Sequence, residues 1–185
     1  FRSAAGSLVA DWANNDVQKV NADYVSGRID HQLHANHSLF GRYTIDNSKL
    51  TDPDTIPRYG ADARIRNQYV TLEERSILSP TTINAVRLGF SRSAQFSDVM
   101  ELDPVPAALS FVQGRPFGGI TPGSGVTPLT GYSGNGPRNY ILNIYQAYDD
   151  FTWEQSNHSI KLGFAYEHFV FNRKGTSRLG GAWTF

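Results

Sequence analysis

From Tyr24 to Ile45 apolar and polar residues alternate with a period of two, interrupted once by a polar turn. Val25, Gly27, Ile29 and Leu33 fall on one side of the first arm; Ser26, Arg28, Asp30 and Gln32 fall on the other. In the second arm Leu39, Gly41, Tyr43 and Ile45 oppose Ser38, Phe40, Arg42 and Thr44. Successive side chains of a strand point to opposite faces, so each arm has one apolar and one charged face. His34-Ala35-Asn36-His37 supplies the turn, and the pair reads as a β-hairpin with strands near 24–33 and 38–45.

The same pattern predicts four further strands. Residues 67–78 are rich in β formers, with Val70, Leu72 and Leu78 on a side shared by Glu74; 82–93 place Val86, Leu88 and Phe90 together. Residues 140–154 end in Phe151-Thr152-Trp153. In 159–171, Ile160, Leu162, Phe164, Tyr166 and Val170 oppose Lys161, Gly163, Ala165 and Glu167. Residues 181–185 read as half a strand. Residues 1–21 carry no clear period and read as a loop with a short helix around 8–13.

The connections alternate in length. Short turns fall at 34–37, 79–81 and 155–158; between them lie long loops at 46–66 and 94–139, rich in Pro, Gly and Asp. Asn36-His37-Ser38-Leu39 recurs as Asn157-His158-Ser159-Ile160, which suggests equivalent turns at one rim. Long structureless loops argue against a compact soluble domain but are ordinary on one rim of a membrane barrel. The expected fold is therefore all-β: an antiparallel up-and-down meander, residues 1–185 forming part of a large transmembrane β-barrel. About six and a half strands cannot close, so a segment of a longer barrel is expected. A soluble carbohydrate-binding β-sandwich gives the same alternation and stays as an alternative, as does a small outer-membrane barrel or adhesin ending at Phe185.

The bilayer sets which face is which. Arg or Lys at the midplane costs roughly 2–4 kcal/mol, so Arg28, Asp30, Arg42, Arg87, Lys161 and Glu167 are expected to face the lumen. Arg92 has lipid-side parity but lies at the end of its expected strand, within reach of headgroups. Glu74 and Asp149 are misfits on the apolar side and are expected at bulges or above the membrane. Tyr43, Tyr145, Trp153 and Tyr166 are candidates for aromatic girdles.

Composition narrows the functions. Lys plus Arg and Asp plus Glu each number 17, so the formal charge is zero and gives no electrostatic case for nucleic acid. There is no cysteine, hence no disulfide or thiolate metal site. Eleven Phe, nine Tyr, three Trp and 17 Gly favour β structure. No run of about 18 apolar residues offers a membrane helix.

No catalytic motif stands out, and no enzyme, cofactor or metal is expected. His31, His34 and His37 form H-x-x-H-x-x-H, but a strand residue and two turn residues need not converge as zinc requires. Asp52-Pro53-Asp54 lacks the glycine and bidentate Glu of a calcium loop. Binding residues are expected in the 94–139 loop, where Phe111, Arg115, Phe117, Tyr132 and Arg138 combine aromatic and cationic groups suited to a small-molecule, saccharide or peptide ligand.

Several phrases together resemble the barrel of TonB-dependent outer-membrane receptors of the Oar-like group. They are R-I-D-H-Q-L…N-H-S-L-F-G-R-Y-T (28–44), S-I-L-S-P-T-T-I-N-A-V-R-L-G-F-S-R (76–92), F-V-Q-G-R-P-F-G-G-I (111–120), H-S-I-K-L-G-F-A-Y-E-H-F (158–169) and R-L-G-G-A-W-T-F (178–185). The resemblance implies a barrel of about 22 strands, a plug domain not recognisable in this chain, and a periplasmic TonB system that energises import of an extracellular ligand.

Overall fold

The computed structural model describes residue 13 and residues 15–54, 58–123, 126–129 and 136–185. Candidate Tyr132 and all but the last residue of the short helix expected around 8–13 lie outside these residues. Six long strands form one antiparallel sheet: β1 (Lys19–His34), β2 (His37–Pro53), β3 (Tyr59–Ser79), β4 (Thr82–Glu101), β6 (Arg138–Gln155) and β7 (His158–Gly175). Between β4 and β6 the chain makes a 3₁₀ turn at Ala107–Leu109 and a short strand β5 (Gly119–Thr121); β8 (Ala182–Thr184) follows β7. The large sheet runs β1-β2-β3-β4-β6-β7, each strand beside its neighbour in sequence, as an up-and-down meander requires.

The three short turns are two-residue hairpins at one rim. His34 faces His37, Ser79 faces Thr82, and Gln155 faces His158. Asn36 and Asn157 each occupy the second turn position, so the echoed Asn-His-Ser phrases are equivalent hairpins. Ser156 takes the left-handed conformation (φ 53°) that tight reversal demands. The register slips only beside two of these turns, at Gln32/His34 and Ile77/Ser79.

The strands outrun their expected lengths, and the loops shrink to match. The expected loop 46–66 is mostly strand: β2 runs to Pro53, β3 begins at Tyr59, and Asn47 pairs with Arg66. The loop expected over 94–139 begins after Glu101 and ends before Arg138. The reason is solvent. Alternation marks strands whose two faces meet different media; past Ile45, Gln68 and Arg92 both faces carry polar residues, and the strand persists without its signature. Eight residues of β2 and nine each of β3 and β4 project this way, about 28 Å along the strand.

The terminal half-strand is also corrected. β8 does not join the wall after β7; it pairs in parallel with β5, Ile120 beside Trp183. Glycines permit this approach: a side chain on Gly118 would collide with the carbonyls of Gly180 and Gly181, and Gly181 sits at φ 86°.

The wall is a single layer. Tyr59 and Ala94 are the buried hydrophobics among the described residues, whereas Ile29, Leu162 and Phe164 are 77%, 62% and 65% exposed. Accessible surface is 13080 Å² for 20.5 kDa, against about 8,900 Å² for a compact monomer of that mass. A sandwich would bury one face of this sheet under a second layer. Among the described residues the only other sheet is the pair of three-residue strands β5 and β8, so the sandwich alternative is not met.

Candidate functional site

Cross-strand register divides the wall into two faces. One carries apolar rows: Tyr43, Val70, Phe90 and Tyr145 are successive partners, and Leu72, Leu88, Ala147 and Tyr166 form the next row. Rings touch along the first row, Phe90 to Tyr145 at 5.2 Å between centroids. On β6 this belt runs from Tyr145 to Trp153 and on β7 from Ile160 to Val170, matching about 9–11 tilted residues per crossing. Tyr145 and Trp153 bracket it on β6, as girdles do. Tyr166 lies one row inside, which corrects its girdle placement.

Arg92 is not at a strand end, as expected from sequence; it lies within β4, just beyond Phe90 where the belt stops. Glu74 and Asp149 are not bulged, since the ladder is regular at both. Glu74 is satisfied locally: His37 Nδ1 lies 2.8 Å from its Oε1, and the Ser76 hydroxyl donates to the same oxygen. This engages His37 at the short-turn rim, with His34 edge-on at 6.4 Å. His31 sits on β1 opposite Leu39. Among the described residues no three His, Asp or Glu side chains gather as metal ligands do.

The opposite face holds all six charged residues singled out from sequence. Arg28, Arg42, Thr71, Gly89, Gln146 and Glu167 are successive partners, and Asp30, Phe40, Glu73, Arg87, Tyr148 and Ala165 form the adjoining row. Like charges directly opposite repel, and Arg28 turns away from Arg42. Its guanidinium binds Asp30 at 2.6 Å and lies 4.2 Å over the Phe40 ring. Arg87 binds Glu73 at 2.6 Å. Gly89 leaves the space that the Gln146 amide fills. From there Gln146 donates to Glu167 at 2.7 Å, and the Tyr148 hydroxyl donates to the same carboxylate. Arg42 has no ion pair among the described residues, and Lys161 stands apart, opposite Thr152. Glu73, Gln146 and Tyr148 escaped the sequence reading. Parity on 67–78 could have found Glu73; the mixed pattern of 140–154 hid the other two.

The loop candidates separate. Phe111 and Phe117 meet at 5.3 Å, and Trp183 from β8 joins Phe111 at 5.5 Å. Trp183 was not anticipated; the signal was the repeated Gly-Gly followed by apolar residues at 118–120 and 180–183. Phe111 and Trp183 stay 43% and 44% exposed. Arg115 is exposed in the turn between the two Phe. Arg138 begins β6 instead, beside Gly175, at the edge of a concavity of about 1270 Å³ lined by Arg66, Arg92, Phe96 and Lys174 among others.

A single-layer antiparallel wall, greased on one face, charged on the other, with tight hairpins at one rim and a long connection between β4 and β6 at the other, is a transmembrane β-barrel wall. Residues 2–185 match the family described as outer membrane beta barrel domain, and the chain belongs to that family. It is thereby an outer-membrane protein. No curated protein and no solved structure matches the chain.

Proposed function

We propose that this wall belongs to a TonB-dependent transporter that captures a small molecule, saccharide or peptide outside the cell and imports it. The Oar-like phrases support this, and one observation carries it: the long-connection rim holds an ordered, half-exposed aromatic group, Phe111, Phe117 and Trp183, clasped by β5 and β8. Aromatic faces on rigid backbone suit capture of sugar rings or apolar ligand surfaces. The charged face, with Arg28, Arg42, Arg87 and Glu167, lines the lumen in this reading and meets a plug or passing ligand. The domain does no covalent chemistry; the periplasmic TonB system supplies energy through a plug domain.

Uptake of labelled saccharides, peptides and metal chelates by cells with and without the energy-transducing periplasmic protein tests the proposal. One ligand class should accumulate only in energised cells, and Phe111→Ala with Trp183→Ala should lower its capture roughly tenfold. Accumulation independent of energy would make the protein a passive pore.

A further inference from the structure

The two faces exchange polarity along β6 and β7. Across the belt, the charged face of β6 carries Thr152, Asp150, Tyr148 and Gln146, and that of β7 carries Lys161 and Glu167. Past Gln146 and Glu167 the same parity turns apolar. Ile144 pairs with Phe169, Leu142 with Phe171, and Tyr140 with Arg173. The belt face turns polar at the same height, with Asn143 and Asn139 on β6 and Asn172 and Lys174 on β7. Beyond the bilayer the outside of a barrel meets water, so these outward polar groups are expected. Apolar side chains on the other face are not, and Phe169 and Phe171 stay 56% and 59% exposed there.

These residues make a strip two strands wide and three rows long, about 14 Å from Ile144 to Tyr140. Ser91, Ser93 and Gln95 on β4 border it as the partners of Ile144, Leu142 and Tyr140. The Tyr140 and Phe171 rings lie 6.2 Å apart, and the Arg173 guanidinium lies 5.2 Å over the Tyr140 ring. Stacking occupies the guanidinium face and leaves its in-plane N–H donors free. Arg173 has no ion pair among the described residues, and this face of β4, β6 and β7 carries no carboxylate from the Ile144 row outward. The nearest acids are engaged elsewhere. Glu167, one row inward, accepts from Gln146 and Tyr148, and Asp46, three strands from β6, accepts from Asn67.

An exposed apolar strip headed by an unpaired guanidinium complements a molecule with an apolar body and one acidic group. A neutral saccharide would leave the guanidinium without a counter-charge and lay its hydroxyls on Ile144, Leu142 and two Phe, which offer no hydrogen bond. We infer that this strip binds an apolar carboxylic acid, its body along Phe169, Phe171 and Leu142 and its carboxylate on Arg173. The inference deepens the transporter reading, on which it rests, by naming the class of ligand. It adds a contact surface on the wall itself to the aromatic group of the long connection.

The test is equilibrium dialysis of full-length protein extracted from outer membranes in neutral detergent, with empty micelles as the blank. Biphenylcarboxylate is the probe, and its primary amide is the comparison. The acid should bind roughly tenfold tighter than the amide, the gain of a charge-assisted hydrogen bond. Equal binding of acid and amide by the unaltered protein would overturn the inference without any variant having to fold. Arg173→Gln should remove the preference for the acid, whereas Lys174→Gln, next in sequence on the opposite face, should keep it. Loss of the preference in both variants would mark a general charge effect and sink the site. Phe171→Cys should react with a water-soluble maleimide and be protected by the acid. No reaction in the ligand-free protein would show the strip already covered by protein and would also overturn the inference. Uptake separates the two levels. Binding of the acid without energy-dependent accumulation leaves the site standing and fails the transporter reading. Energised uptake of another ligand class, with no binding of the acid, fails the inference alone.

Discussion

Replacing Leu88 with arginine probes the face assignment most directly. Leu88 lies in mid-belt, between Leu72 on β3 and Ala147 on β6, with Val86 and Phe90 flanking it along β4, and it is 50% exposed. No acidic side chain is its direct cross-strand partner, so a guanidinium there meets hydrocarbon except toward Glu74 and Asp149, the partners of Val86, which lie diagonally one row away and draw the cost toward the lower end of the range. The expected destabilisation is about 2–4 kcal/mol, or roughly thirty- to seven-hundred-fold in the folding equilibrium. Phe96→Arg supplies the internal comparison. Phe96 is on the same strand and face, eight residues further out, where the cost falls to about 0–1 kcal/mol. Urea titration of the protein in vesicles, followed by tryptophan fluorescence and heat-modifiable gel mobility, reads both. A shift for Leu88→Arg no larger than for Phe96→Arg would refute the placement of this face in hydrocarbon. Equal insensitivity at both would point to water on both sides of the sheet.

Other outcomes follow from the same geometry. Gly118→Val should release the β5–β8 clasp at about 1–3 kcal/mol, opening the 102–137 connection to limited proteolysis while the six-stranded sheet keeps its circular dichroism. Arg87→Met should cost about 1 kcal/mol by orphaning Glu73, whose side chain is only 17% exposed, and Glu73→Gln in the same protein should recover most of it in a double-mutant cycle. His37→Leu alone should destabilise by leaving Glu74 without one of its two partners on the apolar side. His37→Leu with Glu74→Leu should restore stability, and strict additivity of the two changes in urea titration would show that the pair is not coupled.

Much of the wall was legible residue by residue. Arg28, Arg42 and Arg87 fell on one face and Leu39, Leu88 and Leu162 on the other because the pleat converts odd and even positions into sides, and the bilayer punishes charge on one of them. The three hairpins were legible because their turn residues are local. Less was legible where both faces see water. Residues 46–53 and 59–66 continue as strands paired to each other, yet their polar sequence looks like loop because no difference of solvent is imprinted on it. Glu74 looked like an error of register until His37 and Ser76, from the paired strand and from two residues on, supplied its partners.

The chain's order of residues by itself determined the meander, the rim of tight turns and the opposition of a hydrocarbon face to a charged one. These are one-dimensional properties, set by parity and by local turn chemistry. Tertiary structure alone decided which charges meet. Arg28 folds onto Asp30 and Phe40, Gln146 leans over Gly89 to reach Glu167, and Trp183 crosses from beyond β7 to close on Phe111. Each pairing depends on which strand is laid beside which and at what register, and that is settled by the summed ladder of hydrogen bonds rather than by any stretch of sequence read alone.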